Sequence, residues 1–281
     1  MKLCDLHTHS IYSDGTYTPE EIINSAIYSG LSAVALCDHN TADGLPEFLA
    51  AAKKKDIEAI SGVEFSVDYK GIELHLIGLY IPEIRFLEVD KFIYEINERK
   101  RESNVNLINA LNKAGYEIDY EYIKNSTPCG KFNRAHIAAE LTRKGYTESI
   151  SAAFDTLLSK KTGYYKEPQR PGLFEMIDFI QSIGAISVLA HPFLNLSKDE
   201  LEILLPLAKK RGLVGMECYY SLYDSETTKA AFELLEKFDL KPSGGSDFHG
   251  ENKPDTFLGT GKGNLKIPYS LLENLKKLVK E

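Results

Sequence analysis

The sequence predicts an α/β protein whose strands form a parallel sheet or barrel, interrupted by one helical insertion. Apolar strand-like runs alternate with amphipathic helices before residue 84 and again after residue 159, a rhythm typical of parallel sheets. Between these two parts the alternation stops and the pattern is helical throughout. The length of 281 residues is typical of an α/β barrel, or of one domain that carries a smaller insertion.

The first strand is a short apolar run at the N-terminus that ends in His7 and His9. Because side chains alternate along a strand, both imidazoles lie on one face and could bind one ion. A helix follows, since Thr18 begins a capping box and Pro19 takes the first helical position. The next predicted elements are a strand over residues 33–37, a helix over 45–55, and a hairpin of strands over 59–67 and 72–80.

The helical insertion is rich in Asn, Lys and Glu and contains no strand candidate. Its helices are predicted over residues 92–114, 133–143 and 149–159. We expect residues 84–159 to form an inserted helical subdomain that covers the site as a lid. Residues 1–83 and 160–281 then form the barrel domain.

After the insertion the alternation of strands and helices resumes. Ser197 and Glu200 form the ends of a second capping box, which begins a helix that runs to about residue 211. The other predicted elements are strands over 186–190, 214–218 and 242–246, and helices over 174–183, 226–238 and 269–279.

Composition limits the classes of function. Hydrophobic residues make up 43% and charged residues 26%, and no apolar run approaches the ~20 residues that cross a bilayer. The N-terminus enters a strand at once, so we expect no signal peptide and a cytoplasmic location. A net charge of -8 argues against binding of long duplex nucleic acid. The cysteines are scattered, and we expect Cys4, Cys37, Cys129 and Cys218 to be reduced and buried.

The histidines indicate a metal site. Six of the seven lie in or just after predicted strands: His7, His9, His39, His75, His191 and His249. Strand ends converge at one end of a parallel barrel, and Asp14, Glu64 and Asp247 occupy corresponding places. These nine nitrogen and oxygen ligands suffice for about two or three divalent ions. A ligand set without sulfur suits Mn, Fe or Zn about equally.

An ordered set of motifs resembles the polymerase and histidinol phosphatase (PHP) family. The motifs are His7-Thr8-His9-Ser10, Asp38-His39, Glu64, His75, His191-Pro192 and Gly245-Ser246-Asp247-Phe248-His249. Together they span the chain outside the insertion. The resemblance implies a distorted (β/α)7 barrel with a trinuclear metal site.

The same resemblance implies a role for each ligand. The three implied groups are His7, His9, Glu64 and Asp247; Asp14, His39 and His249; and Glu64, His75 and His191. Glu64 would bridge two ions, and the catalytic roles fall to Glu64, Asp247 and His191. Two further carboxylates stay open: Asp5 orients an imidazole or makes a strand-end hydrogen bond, and Glu217 orients an imidazole or makes a salt bridge at the barrel rim.

Arg134 and His136 are the candidate substrate-binding residues. They lie at the start of an insertion helix, where a helix N-terminus and a guanidinium form an anion site together. The alternative is a solvated helix start. The pair resembles an Arg-x-His stretch in the insertion of PHP phosphoesterases that act on nucleotides, where it contacts phosphate. Lys131, Lys166 and Arg170 have no indicated role beyond solubility.

The resemblance implies a metal-dependent phosphoesterase that acts on a small nucleotide. The expected reactions are removal of the 3'-phosphate from a 3',5'-nucleotide bisphosphate, or 5'-to-3' trimming of short oligonucleotides. Histidinol-phosphate hydrolysis is the alternative, and a non-catalytic metal-bound module is an alternative of another class. An amidohydrolase is disfavoured because no lysine is expected near a ligand-bearing strand end. No obligate protein partner is evident.

Overall fold

The computed structural model describes residues 2–127 and 132–279, so Cys129 and Lys131 lie outside the described residues. Its centre is a seven-stranded sheet in which every strand lies beside its neighbours in the chain. The strands are β1 (Cys4–Thr8), β2 (Ala33–Leu36), β3 (Glu58–Tyr69), β4 (Ile72–Leu79), β5 (Ile186–Ala190), β6 (Leu213–Tyr220) and β7 (Lys241–Gly245). Each strand predicted from the sequence is present, within three residues of its predicted bounds.

The sheet is nearly closed into a barrel. The backbone N–H of Asp247 donates to the carbonyl of His7, and that of His9 donates to the carbonyl of Phe248, each at 2.9 Å. Gly245 permits this closure, since a Cβ there would lie 2.2 Å from the Cβ of His7. The distorted barrel prediction is therefore confirmed.

The distortion of the barrel comes from one strand. β4 pairs antiparallel with both β3 and β5, whereas the other pairs in the sheet are parallel. The cause is the tight turn between β3 and β4, where Lys70 and Gly71 both have positive φ. A turn of this length can join only antiparallel strands.

Among the described residues, six α-helices outside the insertion pack against the sheet. They are α1 (Pro19–Tyr28), α2 (Leu45–Ala52), α7 (Leu173–Ser182), α8 (Lys198–Arg211), α9 (Ser225–Phe238) and α10 (Tyr269–Lys276). The capping boxes predicted at Thr18 and Ser197 are both present. Along β2, Val34 and Leu36 pack in the large hydrophobic cluster with most of these helices, whereas Ala33 and Ala35 pack in a second cluster with α10. The alternation of strand side chains thus builds two apolar layers.

The inserted segment is helical in its described residues. It contains α3 (Phe86–Lys113), α4 (Tyr120–Ser126), α5 (Arg134–Arg143) and α6 (Ile150–Asp155), of which α4 was not expected. Val89 and Ile93 of α3 pack in the large cluster of the barrel. Leu107 and Leu111, further along the same helix, pack in a third cluster formed by the insertion. The division into barrel and lid subdomain stays a prediction, and this third cluster supplies the core that it requires.

The structure bears on the expectations for the cysteines and for membrane-spanning segments. Cys4, Cys37 and Cys218 are free and buried, as expected. Within the described residues, no helix has both the length and the apolar character to cross a membrane.

Candidate metal centre

The structure brings all nine candidate ligands to one end of the barrel. His191 directly follows β5, His39 lies three residues after the end of β2, and Asp247 and His249 follow β7. His75 joins them from the first half of β4, because the reversed direction of this strand places it beside Ala190, the last residue of β5. Side chains from strand ends and from the reversed strand β4 therefore form part of a single cluster.

The first implied group is compact. The Nε2 atoms of His7 and His9 lie 3.1 Å apart, and each is 3.3 Å from Oε2 of Glu64. Oδ1 of Asp247 lies 3.2 Å from Nε2 of His9 and 3.8 Å from Nε2 of His7. Four ligand atoms thus face one small volume, and three of these residues form a group that could hold a metal ion.

The second implied group has one more member than the sequence suggested. Nε2 of His249 lies 3.2 Å from Oδ1 of Asp14, and Nε2 of His39 lies 3.7 Å from Oδ2 of Asp14. His9 also belongs to this group, because its Nδ1 lies 3.7 Å from Oδ1 of Asp14. His9 therefore stands between the first two groups, with its ring stacked on that of His249.

The third implied group meets the other oxygen of Glu64. Oε1 lies 2.8 Å from Nδ1 of His75 and 3.0 Å from Nε2 of His191. Oε2 faces the first group and also lies 3.0 Å from Nδ1 of His39. One carboxylate thus presents each of its oxygens to a different set of imidazoles, which is the geometry that a bridging ligand needs.

Two buried atoms that lack hydrogen-bond partners indicate whether a metal ion fits this site. Oε2 of Glu64 and Nδ1 of His39 are buried and have no hydrogen-bond partner among the described residues. A buried polar atom without a partner is costly, and a carboxylate oxygen among imidazole nitrogens is a typical ligand for a divalent cation. The donor set therefore fits divalent metal ions.

Glu217 orients two of the candidate ligands. This buried carboxylate places Oε1 3.1 Å from Nδ1 of His7, and its Oε2 accepts the backbone N–H of His191 at 2.8 Å. Fixing Nδ1 directs the Nε2 atom of His7 toward the centre. Of the two roles considered for Glu217, the orientation of an imidazole is confirmed. Asp5 instead accepts hydrogen bonds from the backbone N–H groups of Ser246 and Gly259. The alternative of a strand-end hydrogen bond is therefore confirmed for Asp5.

Asp247 is held by two residues that the sequence did not indicate. Its Oδ2 accepts the hydroxyl of Tyr220 at 2.8 Å and lies 2.6 Å from Nζ of Lys253. These contacts leave Oδ1 directed at the histidines. The expectation that no lysine lies near a ligand-bearing strand end is wrong, because the short 3-10 helix Gly250–Asn252 turns the chain back and brings Lys253 to Asp247.

Backbone conformation also marks this site. His191 and Asp247, each just after a strand, have φ values of 29° and 56°. Non-glycine residues with positive φ are uncommon, and such strain is found mainly at functional sites. The hydrogen bond from His191 to Glu217 helps to hold one of these conformations.

The carboxylates and imidazoles of the cluster shift one another's pKa. Burial alone would raise the pKa of Glu64, yet His75, His39 and His7 hold that pKa well below its ordinary range. Burial acts in the opposite direction on the histidines, but Asp247 and Glu64 raise the pKa of His9 to about 9. Glu64 and Glu73 likewise raise the pKa of His75 to about 10, against the effect of burial.

Metal uptake should therefore release protons. At about pH 7.5 His9 and His75 carry a proton in the metal-free protein, whereas an imidazole must be neutral to bind a metal. We expect affinity for Mn²⁺ to rise with pH until these groups have lost their protons, at about pH 9 to 10. Calorimetric titration in buffers of different ionisation enthalpy measures the protons released. Affinity that is independent of pH, with no proton release, would contradict this assignment.

A cavity beside the cluster carries basic side chains. Its lining includes the candidate ligands Asp14, His39 and His75 and the basic residues Lys100, Arg134 and Arg170. Nη2 of Arg170 donates to Oε2 of Glu73 at 2.6 Å, and Nη2 of Arg134 lies 3.8 Å from the same oxygen. The Arg170 side chain is 8% exposed. Its assignment to solubility alone is therefore wrong, because a residue that served only solubility would be exposed.

Lys100 is a further basic residue whose role sequence analysis missed. Burial lowers its pKa, and the charges of Arg134 and Arg170 lower it further, against the effect of Asp14 and Glu73. Three cations crowded in this way favour an anionic ligand. The helical period of α3 gave no sign of this role, since Lys100 stands in a run of charged residues that resembles a solvated face.

The structure places the two predicted substrate ligands differently. Arg134 lines the cavity and stacks on Tyr165, with its guanidinium 4.2 Å from the ring centre. Nδ1 of His136 accepts the backbone N–H of Asn133 at 3.1 Å, as part of the cap of α5. A role for either residue in substrate binding stays a prediction.

The sequence matches one protein family and is similar to proteins of known activity. The PHP domain model matches residues 5–185, which include His7 to His75, while His191, Asp247 and His249 lie beyond the match. A 5'-3' exoribonuclease of Haemophilus influenzae is 31% identical over 88% of this chain and 90% of its own length. A 3',5'-nucleoside bisphosphate phosphatase of Chromobacterium violaceum is 28% identical over 89% of this chain and 88% of its own length.

A solved structure has the same fold. It comes from Bifidobacterium adolescentis and is described as that of a metal-dependent phosphoesterase. The alignment has a TM-score of 0.87 at 23% identity and covers 100% of this chain and 97% of the other. At that identity the likeness concerns the fold alone.

Proposed function

The chain belongs to the PHP domain family, and from this premise we propose that it is a metal-dependent phosphoric ester hydrolase acting on a small nucleotide. The favoured reactions are removal of the 3'-phosphate from a 3',5'-nucleoside bisphosphate and 5'-to-3' trimming of short oligonucleotides. One observation carries the choice of substrate. Three basic side chains, Lys100, Arg134 and Arg170, line the same cavity as candidate metal ligands, so two phosphates of one substrate have separate binding places.

The nine clustered side chains would hold the metal ions. In our proposal the number is two or three, with Glu64 as the bridge between two of them. Bound divalent ions would lower the pKa of a water molecule, which supplies the nucleophile, and neutralise charge on the phosphate that is cleaved. A set of nitrogen and oxygen ligands without sulfur suits Mn, Fe or Zn about equally.

The remaining residues position these ligands and the substrate. Glu217 keeps Nε2 of His7 directed at the centre, and Tyr220 with Lys253 keeps Oδ1 of Asp247 there. Arg134 and Arg170 would exchange their contacts with Glu73 for contacts with the second phosphate. The inserted segment then acts as a lid that excludes water from the cavity.

A screen on metal-supplemented enzyme that measures release of both inorganic phosphate and nucleoside 5'-monophosphates tests the proposal, because trimming of an oligonucleotide releases nucleotides rather than phosphate. The substrates are adenosine 3',5'-bisphosphate, 5'-phosphorylated oligonucleotides of two to five nucleotides as a rough working range, and histidinol phosphate. We expect turnover of the first two classes and little of the third, which offers only one phosphate to the cavity. Preferred turnover of histidinol phosphate would reverse the assignment, and no turnover of any substrate would favour a non-catalytic module.

Metal content is a separate prediction. We expect between about two and three equivalents of transition metal in protein expressed with metal supplementation, because the ligands form three groups. His191→Ala should remove about one ion, since His191 lies beside Oε1 of Glu64, the oxygen that also meets His75. Elemental analysis of both proteins checks this. A wild-type content below about one equivalent would exclude the multinuclear site.

A further inference from the structure

A second cavity reaches the metal centre from another side. It shares four lining residues with the basic cavity: His39, Asn40, Lys100 and Asn133. The two cavities are therefore neighbours that meet at His39 and at the boundary between α3 and α5. A ligand held by the metal centre and the basic cavity would have this second space beside it.

The second cavity differs from the first in its chemistry. Three aromatic side chains line it: Tyr12 from the loop after β1, Tyr94 from α3, and Phe132 just before α5. Its arginine, Arg101, is already paired with Glu98 at 2.7 Å. The cavity therefore offers aromatic faces rather than a concentration of positive charge, and it suits a flat, weakly charged group better than a further phosphate.

Two of these aromatic residues are placed to stack on such a group. Phe132 is fixed edge-on against Tyr120, with 5.5 Å between the ring centroids. Tyr94 is 64% exposed, although a large aromatic side chain usually buries most of its surface. A ligand in this cavity could cover the exposed ring of Tyr94.

We propose that the second cavity binds the base of the nucleotide, stacked on Tyr94 and Phe132. This inference rests on the proposed function and extends it by assigning the three parts of the substrate to three places. The cleaved phosphate lies at the metal ligands, the other phosphate lies at Lys100, Arg134 and Arg170, and the base lies among the aromatic residues. Stacking depends on the face of a base and hardly on its edge, so all four bases are accepted.

Equilibrium binding to the metal-loaded protein tests the inference apart from catalysis. The probes are adenosine 5'-phosphate and ribose 5-phosphate, which differ only by the base. The wild-type protein should bind the nucleotide about 5-fold to 150-fold more tightly, as expected for one stacked base. Tyr94→Ala should remove most of this preference, whereas Tyr94→Phe should keep it because the aromatic face remains. Tyr28→Ala, at an exposed tyrosine on α1, is the matched control and should change nothing.

The outcomes separate this inference from the proposed function. Equal binding of the two probes by the wild-type protein would overturn the base site. So would an unchanged preference in both Tyr94→Ala and Phe132→Leu. Failure of the protein both to release phosphate from adenosine 3',5'-bisphosphate and to trim short oligonucleotides would overturn the proposed function, while the comparison of the two probes would still decide whether a base is bound.

Discussion

Glu64→Gln is expected to lower kcat by several orders of magnitude while the barrel stays folded. The two oxygens of Glu64 face different sets of imidazoles, and its low pKa keeps it charged at any working pH. Glutamine keeps the shape of the side chain but removes the negative charge that separates two cations. Turnover by metal-saturated enzyme, measured together with metal content, checks the expectation.

A second glutamate of the same strand serves as the control. Glu58, at the start of β3, is paired with Lys276 and accepts the hydroxyl of Tyr269, away from the candidate ligands. Glu58→Gln should leave kcat unchanged. If Glu64→Gln retained about a tenth of wild-type kcat when saturated with metal, the bridging role would be refuted.

Arg134→Ala should impair bisphosphates far more than substrates with one phosphate. A contact with the remote phosphate is present in both the ground state and the transition state and also positions the substrate. A charge-assisted contact of about 2 to 3 kcal/mol corresponds to a loss of about 30-fold to 150-fold in kcat/KM. Hydrolysis of a simple aryl phosphate should change little.

The same helix supplies a matched control for this variant. Arg143, in the last turn of α5, is 55% exposed and paired with Glu140. Arg143→Ala should leave both substrates unaffected. Equal losses on the bisphosphate and the aryl phosphate in Arg134→Ala would mean that Arg134 supports the fold or the reacting phosphate. The argument for a two-phosphate substrate would then rest on Lys100 and Arg170 alone.

The sequence predicts the scaffold well because the signals for it are local. Thr18 and Ser197 begin capped helices where their capping boxes indicate, and β5 has the bounds that its apolar run predicts. Local patterns are weaker for short elements. The seven residues of α4 are too few to show a helical period, so this helix was missed.

Most of the candidate histidines were found because they stand at or just after strand ends, a position that the sequence shows. The residues that support these ligands were missed because their partners lie far away in the sequence or on the other side of a turn. Arg170 meets Glu73 across 97 positions of the chain, and Lys253 meets Asp247 only because a short helix reverses the direction of the chain. Contacts of this kind depend on tertiary packing, for which a single sequence has no periodic signal.

The continuity of α3 has a mechanical consequence. Its 28 residues extend for roughly 42 Å at the usual rise of an α-helix, and they join the core of the barrel to that of the insertion without a break. A continuous helix transmits displacement, whereas a hinge absorbs it through a few flexible residues. A displacement of the insertion core at Leu107 would therefore be carried along the helix to Val89 inside the barrel core. The two hydrophobic cores are joined by one rigid element, so neither would shift along this helix without the other.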